Sequence, residues 1–463
     1  MGVLIKNGEV ITADSRYTAD IYCRDGTITT IGRGLSAAPD DTVIDATGRY
    51  VFPGFIDPHT HIYLPFMGTF SKDDYESGTI AALCGGTTTL IDFVLPERQE
   101  APLHALETWQ RKAEGRACCD YTFHMGVTRF DEGVAAELRE IVRSGITSFK
   151  VFLAYKGALG IDDAELYHTL RLARELGVIT TAHCENADLV AELQKKLIRE
   201  GKTGPEWHYH SRPPAVEAEG TRHLCAMAGL TGAAVYVVHL SCLEALREAL
   251  EAKLRGVNVK VETLIQYLLL DRTHAELPGF EGAKYVMSPP LRDRDNQAVL
   301  WAGLANGHID TLATDHAPFD TTQKQMGRDN FCLIPNGIPS LEERVKLLYT
   351  HGVATNRLSL NRFVEVASTN AAKFFGLFPR KGTIQPGSDA DLVVWDPHWR
   401  GTITAAHHHM NMDYSAFEGF PVQGRAAAVT VRGELQVRDG QFIGTKGLGR
   451  LLRREPQTQE HGA

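Results

Sequence analysis

Between residues 53 and 375 the chain repeats one grammar: a short apolar, β-branched run, then a stretch with helical spacing. The runs are YVFPGFID, TTTLIDFVL, YTFHMGV, TSFKVFLA, VITTAHC, AVYVVHLS, VKVETLIQYL and DTLATDHAPF. Parallel strands need long crossover connections, which helices supply. Eight such units are what a (β/α)8 barrel requires. A doubly wound open sheet would show the same alternation, so the count favours the barrel without excluding the sheet. DAELYHTLRLARELG closes on Gly177, the residue type that best ends a helix in left-handed backbone.

Residues 1–52 and 376–463 follow another pattern. VLIKNGEVIT, DIYCRDGTITTIG and AAAVTVRGELQVRDG alternate apolar and polar residues around glycine-containing turns. Two strand-rich ends around a different middle predict one discontinuous β module, its halves paired in space beside a barrel of residues 53–375. The tail LGRLLRREPQTQEHGA is basic and then polar; it reads as a mobile end or as an arm onto a neighbouring subunit. The run His407, His408, His409 reads as a solvated loop.

A chain of 463 residues can bury both modules. Its 48 Lys and Arg against 57 Asp and Glu give a net charge of −9, which argues against nucleic acid as the main partner. Lys6 and Glu9 interrupt the N-terminal segment, so it lacks the apolar core of a signal peptide. The longest apolar stretch, Leu224 to Val238, is too short and too glycine-rich to span a bilayer. Eight Cys without a CxxC pair read as reduced thiols in a cytoplasmic protein.

The ionisable residues fall at one kind of place. His59 and His61 form H-T-H at the end of the first run, where i and i+2 point the same way. Lys150 lies in the fourth run, His183 ends the fifth, His239 the sixth and Asp315 the eighth. These are the C-terminal strand ends, where barrel enzymes build their sites. One such histidine is ordinarily structural; the coincidence of all of them predicts a metal centre. Four His and one Asp exceed the three ligands of a single catalytic zinc and suit a two-ion site. Such a pair needs a bridging anion, yet the fourth strand offers a lysine. An ammonium cannot ligate; a lysine that has captured CO2 becomes a carbamate and can. On these grounds Lys150 is either that bridge or an ordinary ion-pair partner.

FPGFIDPHTHIYLPF, GGTTTLIDF, ITSFKVFLAYKG, AHCEN, VVHLS, KYVMSPPLR, TDHAPFD, IPNGIPSLEERV and MDYSAFEGF together resemble the hydantoinase/dihydropyrimidinase family of the amidohydrolase superfamily, above all its bacterial D-hydantoinases. The resemblance runs from LIKNGEVIT to VRDGQFIG. It implies a (β/α)8 barrel with a terminal β-sandwich, a homotetramer, and two divalent ions, Zn2+ with Mn2+ or Co2+ as alternatives. It assigns His59, His61 and Asp315 to one ion, His183 and His239 to the other, and makes Lys150 the N6-carboxylysine formed with CO2. Asp315 would also move the catalytic proton. Tyr155 matches the tyrosine that hydrogen-bonds the scissile carbonyl. Ser288 and Asn336 match positions whose backbone groups hold the cyclic amide, and Leu64, Phe66, Phe152 and Leu159 line the pocket for its exocyclic substituent. The implied activity opens hydantoins or dihydropyrimidines to N-carbamoyl amino acids. There are departures. Relatives often have a histidine near Gln266 and Tyr267, and Leu159 stands where several have a larger aromatic residue.

Two enzyme rivals are allantoinase and dihydroorotase. The latter typically carries an arginine two residues after the second His of HxH, where this chain has Tyr63. A non-catalytic scaffold relative would lack several of the six ligand residues, and all six are present.

Overall fold

A computed structural model describes residues 2–456. Eight parallel strands follow one another around a barrel: Phe55–Thr60, Thr87–Val94, Asp120–Gly126, Ser148–Phe152, Ile179–His183, Val235–Val237, Val259–Leu264 and Thr311–Ala313. Each corresponds to one of the eight apolar runs. Most runs are shorter as strands than they read; AVYVVHLS and DTLATDHAPF give three strand residues each, Val235–Val237 and Thr311–Ala313. YVFP belongs to the other sheet, and IQYLL after Leu264 turns into a short helix, Ile265–Leu269.

Helix ends are fixed locally. Asp162 and Glu165 make a reciprocal capping box, and Gly177 closes the same helix at φ 66°. The seam between first and eighth strands is closed mainly by side chains. Arg344, fully buried, donates to Ile56 O at 2.9 Å and Leu312 O at 2.8 Å, while Thr314 Oγ1 donates to Asp57 Oδ2 at 2.7 Å. Buried donors that bridge two strand edges satisfy carbonyls the ladder leaves unpaired.

Both chain ends enter one nine-stranded mixed sheet. Its halves join where Leu392–Thr402 runs antiparallel to Tyr50–Pro53, with Val393 opposite Phe52. The sheet has a small core of its own, including Val10, Ile21, Val51, Leu392 and Val394. It is tied to the barrel by Lys381, whose Nζ lies 2.7 Å from both Asp120 and Asp391.

Two C-terminal segments depart from the sequence expectation. The histidine run is only partly a solvated loop: His407 is exposed, whereas its two neighbours pack on the barrel. His409 donates its backbone N–H to Glu342, and the His408 side chain is 4% exposed beside Glu343. The tail returns to its own barrel: Leu452 N donates to Tyr121 O at 2.7 Å, and Arg454 is buried against Phe123 O and Ser148 Oγ. It is thus docked through Arg454. Residues 457–463 lie outside the described residues.

Candidate metal centre and substrate cleft

All of the proposed ligands line one cleft at the C-terminal rim of the barrel. His59, His61, Lys150, His183, His239 and Asp315 share it with Tyr155, Ser288, Asn336, Leu64, Phe66, Phe152 and Leu159. Parallel strands bring this about, since each ends on the same rim.

The geometry resolves into two neighbouring groups. His59 Nε2 lies 3.1 Å and His61 Nε2 3.0 Å from one oxygen of Asp315. Candidate donor atoms of these three residues all fall within 4.8 Å of one another. Beside them, the rings of His183 and His239 stand 4.6 Å apart, and His239 is 5.4 Å from His59. Lys150 is 1% exposed, its Nζ 4.7 Å from the ring centres of both Phe93 and Phe152.

The donors fit a pair of divalent cations. His61 Nδ1, His239 Nδ1 and Lys150 Nζ are buried and lack a hydrogen-bond partner among the described residues, which folding disfavours unless something else pairs with them. Burial pushes His61 down to about 4 and His239 well below the ordinary histidine range, so both are neutral and able to ligate. His59 goes the other way. Burial would lower it, but Glu262 and Asp315 raise it to about 9. Carboxylates on both sides of that ring call for positive charge, which a metal supplies better than a proton. Burial opposes ionisation of Asp315, yet His59 and His61 hold its carboxyl well below the usual range. Lys150 is pushed down to about 8 by burial, so its neutral amine is accessible. Imidazole and carboxylate donors without thiolate suit zinc, manganese or cobalt.

Two carboxylates that the sequence reading passed over hold the His59 and His183 rings. Glu262, fully buried, sits 2.6 Å from His59 Nδ1 and accepts from His239 N at 3.0 Å and Tyr236 Oη at 2.8 Å. Glu185 sits 2.7 Å from His183 Nε2 and pairs with Arg212. Burial would raise Glu185, but Arg212 and His183 hold it at about 2. Such carboxylates fix ring orientation and sharpen ligand basicity. The signal for Glu262 was an acid inside the apolar strand VKVETL; for Glu185 it was the acid two places after His183.

Backbone strain collects at the rim. Tyr155, His239 and Asp315 adopt φ of 57°, 41° and 49° without being glycine. Left-handed backbone at such residues costs on the order of 1 kcal/mol each, and it aims their side chains into the cleft. Opposite the ligands, Asn336 Nδ2 donates to Ser288 Oγ at 3.1 Å, and the Tyr155 phenol faces both side chains. Phe66 and Phe152 meet the Tyr155 ring edge-on at 5.7 and 5.9 Å. Gln266 Nε2 and the Tyr267 hydroxyl donate to the Thr314 and Pro289 carbonyls at 2.6 Å each.

Fold and site place the chain among barrel hydrolases, and it belongs to the amidohydrolase family, whose sequence profile matches residues 50–435. More narrowly, it is similar throughout to hydantoinases and dihydropyrimidinases. It is 50% identical over 456 residues to a D-hydantoinase of Geobacillus stearothermophilus, covering 98% of this chain and 97% of that one. The structure of a D-hydantoinase (dihydropyrimidinase) from Thermus sp. superposes with a TM-score of 0.97 at 62% identity, covering 98% of this chain and 99% of that one. A dihydropyrimidinase from Brevibacillus agri does so with a TM-score of 0.97 at 47% identity, covering 99% and 100%.

Proposed function

We propose that this protein is a binuclear cyclic amidohydrolase that opens hydantoins and dihydropyrimidines to N-carbamoyl amino acids. One observation carries the reading. Six potential ligands carried by five barrel strands meet in a single cleft, facing a tyrosine, a serine and an asparagine. His59, His61 and Asp315 would hold one ion, His183 and His239 the other, with carboxylated Lys150 between them. When bound, the ions would supply a water activated near neutral pH and polarise the scissile carbonyl.

The chain's own residues do the rest. Ser288 and Asn336 hold the ring amide through their backbone groups. The Tyr155 hydroxyl donates to the oxygen that gains charge as water adds to the carbonyl carbon. Asp315 accepts the proton released by that water and returns it to the ring nitrogen as the C–N bond breaks. Amide nitrogen leaves poorly as an anion, so this transfer is required. Water is consumed, and a carboxylate and a ureido group result.

Leu64, Phe66, Phe152 and Leu159 form an apolar wall for the substituent. Among the described residues lining the cleft, Lys150 is the only Lys or Arg. The carboxylate of dihydroorotate would therefore enter without a partner, at a cost of several kcal/mol. Liquid chromatography of ring-opened products is expected to show turnover of dihydrouracil and of 5-monosubstituted hydantoins. Dihydroorotate should be slower by at least about 10²-fold, the equivalent of some 3 kcal/mol. Preferred turnover of dihydroorotate or allantoin would reject this assignment. The homotetramer and the cytoplasmic location expected above rest on the family resemblance and on eight thiols that are all free. No described helix is long and apolar enough to cross a membrane.

A further inference from the structure

Lys324 is a buried cation at the cleft's edge that the mechanism leaves without a task. Lys324 is 1% exposed, and no carboxylate among the described residues pairs with it. Its Nζ donates instead to three backbone carbonyls: Val286 at 3.0 Å, Pro335 at 2.7 Å and Gly337 at 2.8 Å. Burial pushes its pKa down, but three carbonyl acceptors favour the ammonium, because a neutral amine has only two N–H groups. Burying an ammonium without a counter-charge is costly, and an apolar side chain would fill the same space for less.

The positions of the acceptors account for that cost. Pro335 and Gly337 flank Asn336, and Val286 lies two residues before Ser288. One ammonium therefore ties together the two segments assigned to the ring. Gly337 N reinforces the tie by donating to Val286 O at 3.0 Å. No side chain fits at Gly337, where a Cβ would come 2.1 Å from Ala317 O.

The Ser288 segment is held from two further sides. The Nε2 of buried His208 lies 2.9 Å from Met287 O, and the Tyr267 hydroxyl donates to Pro289 O at 2.6 Å. The carbonyls on either side of Ser288 and of Asn336 are thus engaged by buried side chains. The carbonyls of Ser288 and Asn336 themselves accept none of the described hydrogen bonds. Flanking groups are engaged, and the ring-facing ones are left free.

We propose that Lys324 is a positioning residue for substrate recognition. It aims the unengaged backbone groups of Ser288 and Asn336 at the cyclic amide, with Tyr267 bracing the Ser288 side. This rests on the ring-opening activity proposed above. Contacts to the ring persist from bound substrate to transition state, so their loss raises KM and spares kcat.

The test uses full-length holoenzyme and Lys324→Met. KM should rise about 10-fold or more while kcat stays within about 3-fold of wild type. The rise should be equal for unsubstituted and 5-substituted hydantoins, because these segments touch the ring and not the substituent. Metal content should not change. Tyr267→Phe removes one hydroxyl at constant shape and should show the same signature more weakly; it decides the matter if Lys324→Met does not fold. An unchanged KM in the folded variant overturns the proposal, as does a loss confined to kcat or accompanied by lost metal. If wild-type enzyme opens no cyclic diamide, the failure lies in the activity assignment and not in the role of Lys324.

Discussion

Lys150→Ala is expected to lose both bound metal and turnover, with kcat/KM falling on the order of 10³-fold or more, the equivalent of about 4 kcal/mol. The reason is electrostatic. Two dications a few ångströms apart repel each other, and an anion between them offsets that repulsion. No Asp or Glu occupies the fourth strand of the barrel, Ser148–Phe152, whereas Lys150 reaches the cleft from it. Its amine is buried and has no hydrogen-bond partner among the described residues, and burial lowers its pKa to about 8, which makes the neutral amine accessible. Truncation to Ala removes the group that would carry the bridging anion and opens space beside Phe93 and Phe152 where a small carboxylate can take its place. Formate, acetate or propionate should therefore restore part of the activity and part of the metal. Metal analysis and turnover with and without added acid check this. A variant that keeps its metal and near-normal turnover would remove the carbamate bridge from the account.

Asp315→Asn is expected to be as damaging by a different route. The amide has nearly the same shape and can still ligate through its oxygen, but it cannot accept a proton from the attacking water. Loss of general acid–base catalysis costs about 10² to 10⁴-fold. Asp315 is held in strained backbone at φ 49°, 3.0 and 3.1 Å from two imidazoles, so its carboxylate has little freedom to be replaced by a neighbour. Metal content must be measured on the same sample. Near-wild-type turnover in a metal-loaded variant would restrict Asp315 to ligation and require another proton carrier.

Much of this architecture is legible in the sequence, for identifiable reasons. Each barrel strand is buried on both faces, so it appears as a nearly unbroken apolar run, and ligands stand out at its end. His183 closes Ile179–His183 in this way. What escapes the sequence is partnership across distance. Arg344 closes a seam between Ile56 and Leu312, residues far from it in the chain, and no local pattern marks it. Glu262 is 203 residues from the His59 ring it orients. His408 and His409 read as solvated because a polar run usually is, but Glu342 and Glu343 on the barrel give them buried partners. In the tail, Leu451 and Leu452 within a basic stretch were the hint of docking; Arg454 is buried among carbonyl and hydroxyl acceptors that only the fold supplies.

The central claim is that two ions share this rim. Elemental analysis of the purified protein, followed by stripping and stepwise re-addition of Zn2+, Mn2+ or Co2+, tests it most directly. The account predicts two ions per chain and no hydrolysis of dihydrouracil or hydantoin until the second equivalent is bound. Full turnover by the stripped protein, or activity that saturates with a single ion, would contradict it.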